Sequence, residues 1–219
     1  MTTGDAIISI FLIVMCLSMA MTYGITPELL SKFRLLFDFT VCVFLAGAIN
    51  LFCGGAFNFL GITPRTPQGL LGIFLSSFLH GDWPHLVVNL IFLFPLGWLI
   101  ILGGTDQFLI VTIFTALFRG FAVWLIGKDR TTHIGISGVV FGYLGFLLTR
   151  GYFARDSIYF GVSAIVGGLY GRYIQGIFPR WGISWEGHFF GLIGGVLAAR
   201  YLVELKEIVT GLEKLLRLL

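Results

Sequence analysis

At 219 residues, with 57% of them hydrophobic, only 11% charged and a mean hydropathy of +0.96, the chain is excluded from the soluble globular class, where about 25% of residues are charged. Seven spans of about 20 residues would use most of its length, which leaves no room for a large soluble domain. A scattered net charge of +3 carries no nucleic-acid footprint, and Cys16, Cys42 and Cys53, all in apolar runs, read as buried thiols, not a disulfide framework.

In chain order, the first apolar run is Ala6–Tyr23, bounded by Asp5 and by Pro27-Glu28. No basic stretch precedes it, so a cleaved signal peptide is not expected. A second run extends from about Leu35 to Leu60, its outer end loosened by Gly54-Gly55 and Asn58. Between Gly61 and Pro84 the character changes: Pro64, Arg65 and Pro67 precede a short apolar segment, Gly69–Leu79, and a polar turn, His80–Pro84. That segment is too short to cross a bilayer and reads as a re-entrant or interfacial hairpin. The third span runs from His85 to about Leu102 and the fourth from Phe108 to Ile126. The fifth begins near Ser137 and is expected to stop at Thr149, before Arg150. So short a helix cannot reach both interfaces, so it should be buried among the others with its start below the surface. The sixth runs Ile158–Phe178 and the seventh Gly187–Val203, and residues 204–219 form an amphipathic helix expected to lie on the inner face.

Counting bases sets the orientation. With the ends of the odd-numbered spans in the cytoplasm, that side holds eight: Lys32, Arg34, Arg150, Arg155, Arg200, Lys206, Lys214 and Arg217. The opposite side holds five: Arg65, Lys128, Arg130, Arg172 and Arg180. Arg119 lies within a span and should either snorkel or pair with a polar loop. The third, fifth and seventh spans are then parallel, and their first residues, His85, Ser137 and His188, start at similar depth near the outer face.

Ser137 sits in Gly135-Ile136-Ser137-Gly138, and glycines at 138, 142 and 145 mark one face of its helix. The seventh span carries a matching stripe at Gly187, Gly191 and Gly195. Two such stripes allow close backbone approach, which brings Ser137 near His188 at the edge of the crossing, in the arrangement a histidine base needs to take a serine proton. His85 and Asn89, at i and i+4 on the third span, share a face that cannot cheaply meet lipid. With the Ser137 backbone N–H they form candidate donors to an oxyanion. Asp82 and Glu186 are the acids near this depth, and neither obviously completes a triad, so a Ser-His dyad is the economical reading. His80 and His133 read as structural or gating residues.

His85-x-x-x-Asn89, Gly135-x-Ser137-Gly138 and His188-x-x-Gly191-x-x-x-Gly195, in that order on three parallel spans, resemble the rhomboid family of intramembrane serine proteases. Phe78-Leu79-His80, followed five residues on by His85, is similar to the family pattern ahead of that span. The resemblance implies an all-α polytopic membrane fold: a six-helix core over residues 35–203, one additional N-terminal transmembrane helix with its linker over residues 1–34, and the C-terminal amphipathic helix over 204–219. It implies Ser137 as nucleophile, His188 as general base, and His85 and Asn89 as oxyanion-stabilising residues. Single-span membrane proteins would be the substrates, with no metal or cofactor. Two positions depart from the family. Pro64-Arg65-Thr66-Pro67 stands where a Trp-Arg pair is common, and Gly187 where alanine is frequent before the histidine.

Rival classes fare worse. A zinc site is disfavoured by the i, i+5 spacing of His80 and His85 and by the lack of His-Glu-x-x-His. An aspartyl protease needs two acids within spans, and a transporter needs a repeat or a polar pathway through the inner half. A catalytically inactive rhomboid-like protein that binds membrane helices is the alternative, which an intact Ser137 and His188 disfavour. The expected setting is a bacterial cytoplasmic membrane with the active site towards the outer face; the lipid bilayer and transmembrane protein substrates are the expected partners.

Overall fold

The computed structural model describes residues 26–179 and 184–218; the expected helix at Ala6–Tyr23 and Cys16 lie outside them. Every regular element among these residues is helical. Helix α1 spans Pro27–Phe52, α2 Pro67–Leu75, α3 Trp83–Leu102, α4 Thr105–Ile126, α5 Ser137–Ala154, α6 Ser157–Tyr170, α7 Trp185–Arg200 and α8 Leu202–Leu216. The chain is thus an all-α integral membrane protein. Helices α1, α3 and α4 are each long and apolar enough to cross a bilayer unaided.

Helix α1 starts at Pro27 rather than near Leu35, because Thr26 caps it by accepting from the Leu29 N–H and Pro27 fills the first turn. It stops at Phe52, where Gly54 and Gly55 take φ of +65° and +78°, a region that favours glycine. The expected short hairpin is α2 followed by a 3-10 turn, Ser76–Phe78. Asp82 caps α3 by accepting from the His85 N–H at 2.6 Å.

Helix α5 occupies the centre, with Tyr143, Phe146 and Leu147 fully buried among α3, α4, α6 and α7. It does not stop at Thr149: it runs 18 residues from Ser137 to Ala154 and ends where Arg155 turns left-handed at φ 52°. Arg150 stays helical because its guanidinium donates to the Ala199 carbonyl at 3.2 Å and lies over the Tyr159 ring, so its charge finds partners inside the bundle. The sixth run is also divided. Helix α6 ends at Tyr170 and a 3-10 segment, Gly171–Ile177, carries the chain onward. Helix α8 turns away from α7 by 80°, leaving Ile208, Leu212 and Leu215 exposed along its outer face.

The two glycine stripes do meet. A methyl group at Gly191 would fall 2.0 Å from the Gly138 carbonyl oxygen, and one at Gly195 would fall 1.8 Å from that of Gly142. Backbone touches backbone, so the spacing of α5 and α7 is fixed by the absence of side chains.

Candidate active site

Ser137 is the first residue of α5, and the loop before it is tied down at each peptide. Gly135, at φ +109°, donates its N–H to the Ser76 carbonyl at 2.8 Å. Its own carbonyl accepts from Arg119 Nη1 at 3.4 Å, and the Ile136 N–H donates to His80 Nε2 at 3.5 Å. Arg119 is fully buried on α4 and does not snorkel; Nη2 donates to Ser76 Oγ and Ser77 Oγ, each at 3.0 Å. His80 is held in turn through its carbonyl by Asn50 Nδ2 at 3.1 Å.

His188 lies in the first turn of α7, with Nε2 2.9 Å from Ser137 Oγ. Its Nδ1 is 2.9 Å from the Gly176 carbonyl oxygen. A carbonyl only accepts, so Nδ1 carries the proton and Nε2 presents a lone pair to the serine. The Ser137 hydroxyl therefore donates to His188. The Phe141 ring, one turn below Ser137, stacks on the imidazole at 4.2 Å between centroids and 11° between planes. The acceptor at Nδ1 is a backbone oxygen instead of a carboxylate.

His85 and Asn89 line the same cavity of about 840 Å³ as Ser137 and His188. Asn89 is buried, and its Nδ2 has no hydrogen-bond partner; a donor left open at this position is suited to a group that arrives with substrate. The His85 ring abuts Gly135, where a methyl group would fall 2.8 Å from Cε1. Phe92, Leu96, Val140 and Leu144 line the apolar part of the cavity.

His133 belongs to a second layer. Its backbone pairs in both directions with Ile62, at 3.0 and 2.9 Å. Thr131 Oγ1 donates to the Lys128 carbonyl at 2.6 Å, so it accepts from His133 Nε2–H at 2.9 Å. That leaves His133 Nδ1 to accept from Ser184 Oγ–H. His133 and Ser184 each stand four residues before a member of the Ser137–His188 pair, so one His–Ser bond joins the approaches to the other.

Two contributors escaped the sequence reading. The Gly176 carbonyl could not be found, since any residue offers one. Phe141 could have been, as the aromatic at i+4 from Ser137 on the same helix face. Glu186 and Asp82 take no part in orienting His188. Among the described residues no cluster of His, Cys, Asp or Glu has the arrangement to hold a metal ion.

A family model described as Rhomboid domain matches residues 67–205. The chain is similar to an uncharacterized protein of Mycobacterium tuberculosis and to one of Mycobacterium bovis, each 35% identical over 178 residues that cover 77% of this chain and 74% of the relative. An uncharacterized protein of Mycobacterium leprae is 41% identical over 156 residues, covering 67% of this chain and 61% of that protein.

Proposed function

The chain belongs to the rhomboid family, and on that footing we propose that it is an intramembrane serine endopeptidase acting through a Ser137–His188 dyad. The observation that carries the proposal is the 2.9 Å contact between Ser137 Oγ and a His188 Nε2 left unprotonated by the Gly176 carbonyl. Ser137 Oγ attacks the carbonyl carbon of the scissile peptide while its proton passes to His188 Nε2. The oxyanion that forms is met by the Ser137 backbone N–H at the start of α5 and by the side chains of His85 and Asn89. The imidazolium then delivers its proton to the departing amine nitrogen, and a water attacking the acyl-enzyme repeats the sequence in reverse roles. Phe141 keeps the ring in one plane, and the Gly176 carbonyl keeps the Nδ1 proton in place while Nε2 gains and loses its own.

The substrates on this reading are transmembrane proteins whose helices unwind into the cavity. On this reading the protease domain, expected over residues 35–203, takes in the whole of α1 from Pro27, so the boundary expected at residue 34 moves to the start of that helix, and the interfacial segment expected over 204–219 follows. The mycobacterial relatives favour a bacterial cytoplasmic membrane.

The test is cleavage of a model single-span substrate by the full chain in liposomes. Ser137→Ala and His188→Ala should each lower kcat by roughly a thousandfold or more, and a fluorophosphonate should label Ser137 only when His188 is present. Cleavage that survives Ser137→Ala removes the nucleophile assignment. Substrate capture without cleavage by the wild type would point instead to an inactive helix-binding relative.

A further inference from the structure

Arg119 is 2% exposed in the middle of a membrane bundle, and no carboxylate is paired with it among the described residues. Its acceptors are all neutral: Ser76 Oγ, Ser77 Oγ and the Gly135 carbonyl. Nε is buried with no partner at all. A lone cation is the costliest kind of group to keep in such a place, and a methionine of similar volume would pack there without that cost. The glycine after Ser137 makes room for it: a methyl at Gly138 would fall 2.0 Å from Arg119 Cδ. The guanidinium fork spans two segments that otherwise meet through the Gly135 N–H to Ser76 carbonyl bond. On one side lies the 3-10 turn Ser76–Phe78, and on the other the peptide that leads into Ser137.

We propose that Arg119 is a positioning residue for the nucleophile: it fixes the Gly135–Ile136 peptide, and through it the direction of the Ser137 hydroxyl and backbone N–H. The peptide plane is held from opposite edges, by Arg119 at the Gly135 oxygen and by His80 at the Ile136 N–H. Released from Arg119, that peptide can rotate, and the N–H that follows it in the chain turns with it. The inference rests on the reading of Ser137 as nucleophile, but its structural half does not require activity.

Two measurements on the full chain in detergent or liposomes separate the possibilities. Arg119→Met should lower kcat for a single-span substrate by at least about tenfold with KM little changed, the scale expected of a small misplacement at the reacting centre. Arg119→Lys, which keeps the charge but not the fork, should recover only part of the loss. Ser76→Ala combined with Ser77→Ala removes the anchors and leaves the arginine, so it should reproduce the Arg119→Met defect even if that variant folds poorly. Amide hydrogen exchange over residues 135–138 should quicken in all three, with thermal unfolding showing that the folded fraction is intact. A wild-type kcat per folded molecule together with unchanged exchange in Arg119→Met, or in the double serine variant, overturns the proposal. Faster exchange in a protein whose wild type neither cleaves nor labels would leave the positioning role standing and sink the protease reading.

Discussion

At the residue scale the site depends on groups that hold an imidazole in place. Phe141 contributes face-to-face stacking on His188, worth about 0.5–1.5 kcal/mol beyond its buried area. Phe141→Ala should therefore cut kcat roughly three- to tenfold, while Phe141→Tyr retains nearly all of it; equal activity in all three proteins would dismiss the ring as a bystander. His133 gives a pH prediction. Burial, aided by the Arg119 cation and opposed by Glu186, holds its imidazole below the ordinary value of 6.5. The folded chain then takes up this proton less readily than the unfolded chain, so the contribution of His133 to stability is complete above that value and drains away as pH falls below it. His133→Asn, which keeps a polar side chain without a titration, should show a smaller drop in Tm between pH 7.5 and 5.5 than the wild type. Identical drops would show that His133 does not carry this dependence. Side-chain identity made the proposed dyad and its candidate donors legible in the sequence, since Ser137, His188, His85 and Asn89 are rare polar residues in apolar runs. The tautomer lock was not legible, because the Gly176 oxygen that sets it is backbone and reaches His188 only after the chain has folded.

The α5–α7 crossing shows the same contrast at the element scale. Glycines at matched spacing announced the crossing, since a side-chain-free stripe on a membrane helix is most simply explained by a neighbour's backbone. The ends of the helices were harder to place. Arg150 looked like a terminator on charge alone, yet it is retained inside α5 by the Ala199 carbonyl and the Tyr159 ring, both supplied by other helices. The break between α6 and the segment Gly171–Ile177 did leave a signal, in Gly171, Arg172, Gln175 and Gly176, which a reading of the run by its apolar residues alone passes over. The crossing gives a sharp comparison. Gly195→Ala forces a methyl into the Gly142 carbonyl and should destabilise the protein by roughly 1–3 kcal/mol, with a loss of activity as Ser137 and His188 are pushed apart. Gly161→Ala and Gly168→Ala, on α6, meet nothing within 4 Å and should stay within about 1 kcal/mol of wild type. Thermal unfolding in detergent reads all three, and a Gly195→Ala protein as stable as the α6 pair would mean that the helices are not packed backbone to backbone.

For the whole molecule, the charge at its two ends bears on which way the cavity faces. The last turn of α5 and the last turn of α7 lie together, joined by Arg150 and Ala199, and Lys206 of α8 pairs with Asp106 at the start of α4 at 2.8 Å. The same end therefore gathers Arg150, Arg155, Arg200 and Lys206, with Lys214 and Arg217 following on α8. At the opposite end, Arg65 is neutralised by Asp129, beside the loop that leads through His133 to Ser137. Positive charge is retained on the cytoplasmic side of membrane proteins, so we propose that the end carrying α8 lies inside and that the cavity opens to the exterior. That orientation would let external water reach Ser137 without crossing the apolar core built on Tyr143, Phe146 and Leu147. Single cysteines in a cysteine-free background decide the matter. Lys128→Cys, exposed beside the cavity loop, should react with a membrane-impermeant maleimide in intact cells, and Glu213→Cys, exposed on α8, only after the cells are opened. The reverse pattern would place the Ser137–His188 pair on the cytoplasmic side, where its substrates would have to be cut at the opposite end of their spans.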